Sequence, residues 1–565
     1  MTETTAATTA APRGGQEAEQ PDPNRWLALA CVLTAAFMVL LDISIVNVAI
    51  PSIQSNLHAS FGEVQLVLAG YQLAYALVLI TGGRLGDIHG RKRLFMVGMA
   101  GFVLASALCG FAQNPTMLVA SRVLQGLMAA LMYPQVLSVI QVSFPPRERG
   151  KAFGIFGATI GIATITGPLA GGLIIRDDIT GGAWRWVFLV NLPIGIASLL
   201  FARRFLRESR APHANRLDLA GVGLVSVGLG MLVYPLVEGR DQGWPLWCYL
   251  LLVASPVVLG GFVLFERGRQ NASPLVRLDL FHNRAFSAGL LFSFFFFAGV
   301  PAFFFTMSLM MQIGLGFSAL HAGLTTMPFA IGSAVASAMS VRLAPKLGRT
   351  ILAFGAGLLV LAVIGMIVTI DAAGRNLTSL ELLPSFLVGG LGLGTTVAPA
   401  LNIILAAVPG RDAGSASGML TTVQQVGGAM GVAVIGVILF TLLGSRADSV
   451  AAQVAPELRA GAVQAGAPPA AADSLVQQFT RCFDDRSNAK DPTETPPSCN
   501  VQVTGSAVGG VVQGVAGEAL AVNFTGAQAL TLLFCGGVWT VTGLLVLALP
   551  RARPSGPPGA TAGAH

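Results

Sequence analysis

Charge is what this 565-residue sequence has least of: Asp, Glu, Lys and Arg together make up 11% of it. Soluble domains carry about 25%. So small a supply excludes a soluble enzyme, a disordered chain and a nucleic-acid-binding protein. Histidine and cysteine are sparse as well, six of each, and nowhere do they fall at metal-ligand spacing. No metal or other cofactor is expected. The phosphate loop G-x4-G-K-[ST] is missing: Gly150-Lys151 runs into Ala152 and has no leading glycine, which excludes ATP-driven pumping by this polypeptide. A G-x-S-x-G nucleophile turn is missing too, because Gly414-Ser-Ala-Ser-Gly418 has Ala at its centre. Enzyme chemistry is not expected.

What is abundant is apolar sequence, with 53% hydrophobic residues and a mean hydropathy of +0.70. A helix needs about 20 apolar residues to cross the roughly 30 Å hydrocarbon layer. Apolar windows cut at charge clusters give fourteen candidates. The first six are 26–50, 62–83, 94–112, 115–141, 150–174 and 187–207, and two more follow at 218–238 and 246–266. A second six lie at 286–311, 322–344, 350–370, 382–407, 413–442 and 527–549. Strands would leave unpaired backbone in lipid, so all of these read as helices. The expectation is an all-α polytopic membrane protein of two six-helix halves plus two additional central helices. A tail covers 1–25, an N-terminal six-helix bundle 26–207, a linker with the two extra helices 208–285, a C-terminal six-helix bundle 286–549, and a second tail 550–565. Within the last bundle, 443–526 is Ala/Gly/Pro-rich and polar in its middle, and reads as a long extracellular loop.

The first 25 residues lack a basic start, an apolar run and a cleavage site, so no signal peptide is expected. Orientation follows from the 34 Lys and Arg residues. With the N-terminus cytoplasmic, most fall inside. The inner clusters are Arg84/Arg91/Lys92/Arg93, Arg147/Arg149/Lys151, Arg203/Arg204/Arg207/Arg210/Arg216, Arg267/Arg269/Arg277/Arg284 and Arg342/Lys346/Arg349. Both termini are therefore expected in the cytoplasm, in a multi-pass plasma (inner) membrane protein. The net charge of +7 is a topology signal that requires no acidic partner. Arginine far outnumbers lysine, as in GC-rich bacterial genomes. An oxidising exterior permits a disulfide between Cys482 and Cys499, the two cysteines outside the spans; the alternative is two separate thiols.

The pattern R-L-x4-G-R occurs twice, as Arg84-Leu-Gly-Asp-Ile-His-Gly-Arg91 and Arg342-Leu-Ala-Pro-Lys-Leu-Gly-Arg349. Each copy follows the second span of a six-span set. That placement indicates two halves repeated in parallel about an axis along the membrane normal.

An ionisable residue deep in lipid is costly and is a functional hypothesis by default. Two stand out: Asp42 in the first span and Arg122 in the fourth, each about eight residues from the outer end. Opposite chain directions bring both to similar depth in the outer half, where they can meet. Desolvation favours a neutral carboxyl and a nearby cation favours the charged one, so a carboxyl pulled both ways can change protonation with conformation. A static pair clamping two helices is the bland alternative.

At this point five stretches acquire a common meaning. Leu41-Asp42-Ile-Ser-Ile-Val-Asn-Val-Ala-Ile-Pro51, Gly83-Arg-Leu85-Gly-Asp87-Ile-His-Gly90-Arg91-Lys92, and Leu118-x3-Arg122-x2-Gln125-Gly126 occur in order. Gly167-Pro168-Leu-Ala-Gly171-Gly172 and Trp184-Arg-Trp-Val-Phe-Leu-Val-Asn191-Leu-Pro193-Ile-Gly195 follow them. The sequence resembles the fourteen-span drug:proton antiporter family of the major facilitator superfamily (EmrB/QacA type). Departures are Ser44 where Thr is usual, Ile88 where a basic residue is usual, and Ala163 in place of a leading Gly. The resemblance implies a major facilitator fold and export of hydrophobic drugs, antibiotics or other small amphiphilic compounds in exchange for protons, by alternating access. It implies proton coupling by Asp42 and Arg122, a conformational switch at Gly83, Asp87, Gly90, Arg91 and Lys92, and an antiporter helix at Gly167, Pro168, Gly171 and Gly172.

The partners expected are therefore the lipid bilayer, a small hydrophobic or amphiphilic substrate and protons. Polar residues within spans, Asn47, Gln72, Tyr75, Gln125, Asn191, Gln312, Asn402, Gln424 and Gln425, can line a cavity or bridge helices. All but Asn191 are candidates for the substrate cavity. Phe292, Phe294 to Phe297 and Phe303 to Phe305 offer aromatic surface, though lipid contact accounts for most of them. With no second deep carboxylate, the site suits neutral, monocationic or zwitterionic compounds better than dications. The rival readings are a dedicated exporter of one natural product, a proton-coupled nutrient importer and a non-transporting membrane receptor.

Overall fold

The computed structural model describes residues 23–59, 61–176, 182–210, 218–239, 242–269, 276, 278–409, 412–488, 496–499 and 506–549. Among them there are helices and no strand. The first half comprises α1 (Arg25–Leu57), α2 (Phe61–His89), α3 (Arg91–Gly110), α4 (Pro115–Ser143), α5 (Pro146–Arg176), α6 (Ala183–Leu189) and α7 (Asn191–Phe205). Two further helices follow, α8 (Leu219–Glu238) and α9 (Leu246–Gly268). The second half comprises α10 (Arg284–Leu309), α11 (Ala319–Leu347), α12 (Thr350–Ala373), α13 (Ser379–Ala406), α14 (Ala413–Gln464), α15 (Pro469–Asn488) and α16 (Ser506–Leu545). Thirteen stretches of the described residues are long and apolar enough to cross a membrane. Of the fourteen expected spans, the one those thirteen leave out is α5, itself an unbroken helix. The expected tails lie almost wholly outside the described residues.

Polar residues set the helix starts. Asn114 accepts from the Met117 amide ahead of Pro115 at the first turn of α4. Asp218, Asn283 and Ser318 cap α8, α10 and α11 in the same way. The sixth span runs through α6 and α7, whose ends, Leu189 and Asn191, are joined by Val190 in a helical conformation. Pro193 in the first turn of α7 costs no helix hydrogen bond there.

The packing repeats. In the first half α1 lies on α5, α2 on α4, and α3 on α4 and α7; in the second, α10 lies on α14, α11 on α13, and α12 on α13 and α16. Between the halves, α2 packs on α14 and α5 on α11, the second helix of each against the fifth of the other. A two-fold axis along the bundle demands this exchange. The extra pair is peripheral: α8 touches α2 and α14, and α9 leans on α8.

The repeated R-L-x4-G-R pattern is geometric as well. Gly90 and Gly348 both sit at positive φ, 110° and 56°, where a side chain is strained. The second copy has a different job, because Arg349 donates to the carbonyls of Leu547 and Leu549 and pins the end of α16.

The stretch 443–526, expected as a loop, holds helix. α14 continues to Gln464, α15 is amphipathic, and α16 begins at Ser506. Together they form a headpiece with a separate apolar core that includes Val454, Leu458, Phe479, Phe483 and Val515. Cys482 and Cys499 are joined in a disulfide. The Arg375 guanidinium pairs with Glu518, tying the α12–α13 turn to this headpiece.

Candidate functional site

The Asp42 carboxylate is fully buried and receives three donors. Arg122 Nη1 donates to Oδ2 at 2.5 Å, while Gln125 Nε2 and Asn191 Nδ2 donate to Oδ1 at 3.0 and 3.1 Å. Arg122 Nη1 also donates to Gln125 Oε1 at 2.6 Å, and its Nε to the Val67 carbonyl at 3.1 Å. Gln125 Nε2 and Asn191 Nδ2 meet again on Ser106 Oγ, at 2.7 and 3.1 Å. The Arg122 guanidinium lies 4.2 Å from the Tyr71 ring centre and 5.7 Å from that of Phe188. Such cation–ring contacts contribute roughly 0.5–2 kcal/mol.

Asp42 and Arg122 are thus in contact, on α1 and α4, with α2, α3 and the α6–α7 junction completing the shell. A buried charge must be paired and hydrogen-bonded to be tolerated, and this one is. Removing one partner of such a pair typically costs about 3–5 kcal/mol. Protonating Asp42 is chemically the same kind of event: it cancels the attraction that holds Arg122.

Three members of the shell were not assigned to it from the sequence. Gln125, expected on a substrate cavity, is buried at the charge pair instead. Asn191 gave a signal as a polar residue inside an apolar span and as part of the Trp184–Gly195 stretch, neither of which pointed to Asp42. Ser106 gave none.

The second cluster lies at the end of the bundle where α1 begins, here called the tail side. Asp87, fully buried, receives Arg91 Nη2 at 2.7 Å and two amides of the other half, Gly414 N at 3.1 Å and Ser415 N at 3.0 Å. Those amides open α14, so the carboxylate sits on the positive end of a helix. Gly83 permits the approach: a Cβ there would lie 2.2 Å from the Gly414 carbonyl oxygen. Next to Gly90, the Lys92 amide donates to Glu208 Oε1 at 3.1 Å, and Lys92 Nζ donates to the Arg203 carbonyl at 2.9 Å. Further contacts join the halves at this end. Ser138 and Ser417 hydroxyls are 2.7 Å apart, and Gln141 Nε2 donates to the carbonyls of Leu405 and Val408 at 2.6 and 3.1 Å.

α5 lies between the halves. Gly157 and Gly161 face Ser337 and Ser333 of α11, Gly167 faces Ser44 of α1, and Gly172 faces Leu320. Gly171 is buried. The antiporter-like stretch therefore touches α1 within a turn of Asp42. The side chains of Asn47 and Pro168 lie outside the described residues.

The other candidates for the cavity are scattered. Tyr75 is buried, Gln72 and Gln312 are exposed, and Asn402, Gln424 and Gln425 are half-buried. Gln312 Nε2 donates to Ser308 Oγ at 2.6 Å within the widened turn Met310–Gly314. The Phe-rich span contributes to a core: Phe303 contacts the rings of Phe329, Phe386 and Trp539.

The Major Facilitator Superfamily description matches residues 32–432. The chain belongs to the major facilitator superfamily. This is a family of membrane transporters, and its members are not enzymes. The chain is 40% identical over 545 residues to the "Probable actinorhodin transporter" of Streptomyces coelicolor, covering 96% of this chain and 93% of that one. It is 35% identical over 433 residues to the "Tetracenomycin C resistance and export protein" of Streptomyces glaucescens, covering 74% and 77%. Among solved structures, the human organic anion transporter MFSD10 (TETRAN) superposes with a TM-score of 0.53 at 14% identity, over 91% of this chain and all of that one. That likeness concerns the fold alone.

Proposed function

We propose that the protein exports hydrophobic drugs, antibiotics or other small amphiphilic compounds across the bacterial plasma membrane in exchange for protons. The observation that carries this is the fully buried Asp42 carboxylate of the first span, enclosed by Arg122, Gln125 and Asn191, in a chain whose relatives are named for transport, resistance and export. The tail side is the cytoplasmic side in this reading, with both termini there and the headpiece outside. The contacts of Asp87, Ser138 and Gln141 across the halves then make the described conformation one closed to the cytoplasm. Breaking them lets the halves rock and opens the cavity inward, the population shift that a protonation event at Asp42 biases.

One acid implies one proton per cycle. A proton falling through 100 mV yields about 2.3 kcal/mol, and one pH unit adds about 1.4 kcal/mol. Together they sustain a gradient on the order of several hundred-fold for an uncharged substrate. Purified protein in liposomes tests this by substrate-dependent proton movement; its absence with a substrate that is demonstrably carried would overturn the proposal.

A dedicated exporter of one natural product is the second reading. It is favoured by the match over 96% of this chain to a protein whose name specifies one compound, actinorhodin.

A further inference from the structure

The described side chains that bond to the Asp42 carboxylate are all donors: Arg122 Nη1, Gln125 Nε2 and Asn191 Nδ2. A carboxylate oxygen only accepts, so it is the nitrogen of each amide that faces it. Such a shell fits the charged acid alone. A proton placed on Oδ1 would point at a donor hydrogen, and a buried O–H without an acceptor is costly.

Taking up a proton therefore requires an acceptor, and most of those nearby are engaged. Gln125 Oε1 receives Arg122 Nη1 at 2.6 Å, so turning that amide would set its NH2 against the guanidinium. The Val67 carbonyl receives Arg122 Nε, and Ser106 Oγ receives both amides. Asn191 Oδ1 differs: it is buried and receives no donor among the described residues. Asn191 Nδ2 stands 3.1 Å from both Asp42 Oδ1 and Ser106 Oγ. Half a turn of the amide about χ2 puts Oδ1 in its place. There it can accept from the Asp42 O–H and from the Ser106 hydroxyl, which has its own hydrogen to give.

We infer that Asn191 is a positioning residue whose side-chain amide turns with the charge of Asp42, donating to the carboxylate and accepting from the acid. The inference rests on the proton-exchange reading and deepens it. The charged or titratable groups around the site are Arg122 of α4, Tyr71 of α2 beneath the guanidinium, and Cys109 of α3, whose thiol lies 3.8 Å from Gln125 Oε1. The remaining neighbours are uncharged: Gly167 of α5 against Ser44, and Phe188 of α6 over Arg122.

Infrared difference spectra between alkaline and acid buffer test this on the whole protein in liposomes, without substrate and with heavy carbon at asparagine side-chain carbonyls. In the otherwise unaltered protein, acid should raise a carboxylic-acid C=O band that Asp42→Asn lacks. With the same pH midpoint, one labelled amide C=O band should move to lower wavenumber, because an oxygen that had no donor gains two. Asn191→Gln and Asn191→Ser carry no labelled asparagine at 191 and identify that band by its loss; in Asp42→Asn it should stay still. If the Asp42 band rises while every labelled amide band stays fixed, or if the moving band persists in the position-191 variants, the amide turn is overturned and proton uptake by Asp42 stands. If acid raises no carboxylic-acid band that Asp42→Asn removes, proton exchange through this carboxyl fails, and this inference with it.

Discussion

Gly83→Ala adds one methyl group where α2 crosses the start of α14. The new Cβ would lie 2.2 Å from the Gly414 oxygen and 3.1 Å from both the Gly414 carbonyl carbon and Gly418 Cα. Carbon–oxygen contact needs about 3.2 Å or more, so the two helices must part by about 1 Å, against backbone that cannot rotate away. Overpacking of this kind costs about 1–3 kcal/mol, which at 1.4 kcal/mol per decade is a shift of about 5- to 150-fold away from the tail-closed arrangement. Position 138 reports it: Ser138 is fully buried against Ser417, so a Ser138→Cys thiol reacts with a polar maleimide only when the halves separate. The expected result is alkylation from the tail side accelerated by about one order of magnitude or more in Gly83→Ala, with loss of active export. Gly357→Ala is the control, since nothing lies within 4 Å of a Cβ there. Unaltered alkylation in Gly83→Ala, with export intact, would refute the claim that this crossing holds the tail side shut.

Two further outcomes concern charges at the same end. Asp87→Asn retains one acceptor and loses the charge on the α14 amides and Arg91. Hydrogen bonds to a charged group contribute about 1.5–3 kcal/mol, so the variant should open the tail side by the same thiol assay at least tenfold, and Asp87→Glu should not restore closure in so tight a contact. Arg25 Nε donates to Glu148 Oε2 at 2.7 Å, joining the starts of α1 and α5, and that hydrogen bond holds the Glu148 carboxyl below its usual range. A depressed acid contributes its stability above the unfolded value and loses it as pH falls through the folded one. Thermal unfolding of the protein against Glu148→Gln should therefore show a difference that is constant between about pH 5.5 and 8 and closes in stronger acid; a difference that changes near neutrality would contradict the pairing.

The buried pair of the first half was legible because lipid makes ionisable residues rare: Asp42 and Arg122 stood out against apolar runs. Their shell was not. Gln125, Ser106 and Asn191 are uncharged, and nothing local distinguishes a glutamine that binds a carboxylate from one that lines a cavity. Asn191 reaches Asp42 from the first residue of α7, a placement that its neighbours in the sequence do not announce. The Gly83–Lys92 stretch was legible as a pattern, while its partner, the start of α14, came from more than three hundred residues away in sequence. The headpiece was misread through composition. Glycine and proline suggested loop, yet Ala, Gln, Glu and Arg are strong helix formers. The apolar stripes Ala447, Val450, Val454 and Leu458 on α14, and Leu475, Phe479 and Phe483 on α15, keep helical spacing. The phenylalanines of α10 were weighed mainly as lipid-facing surface; ring contacts of Phe303 show that part of them fills the core of the second half.

Asp42→Asn in liposomes reaches the centre of the account. Asparagine keeps the shape and one acceptor for Arg122 but can carry no proton through the cycle. With an acid exterior imposed, the unaltered protein should accumulate a monocationic dye such as ethidium against its gradient and move about one proton per dye. The variant should insert normally and exchange dye only downhill. Uphill accumulation by Asp42→Asn, driven by the same acid gradient, would contradict the assignment of proton exchange to this carboxyl.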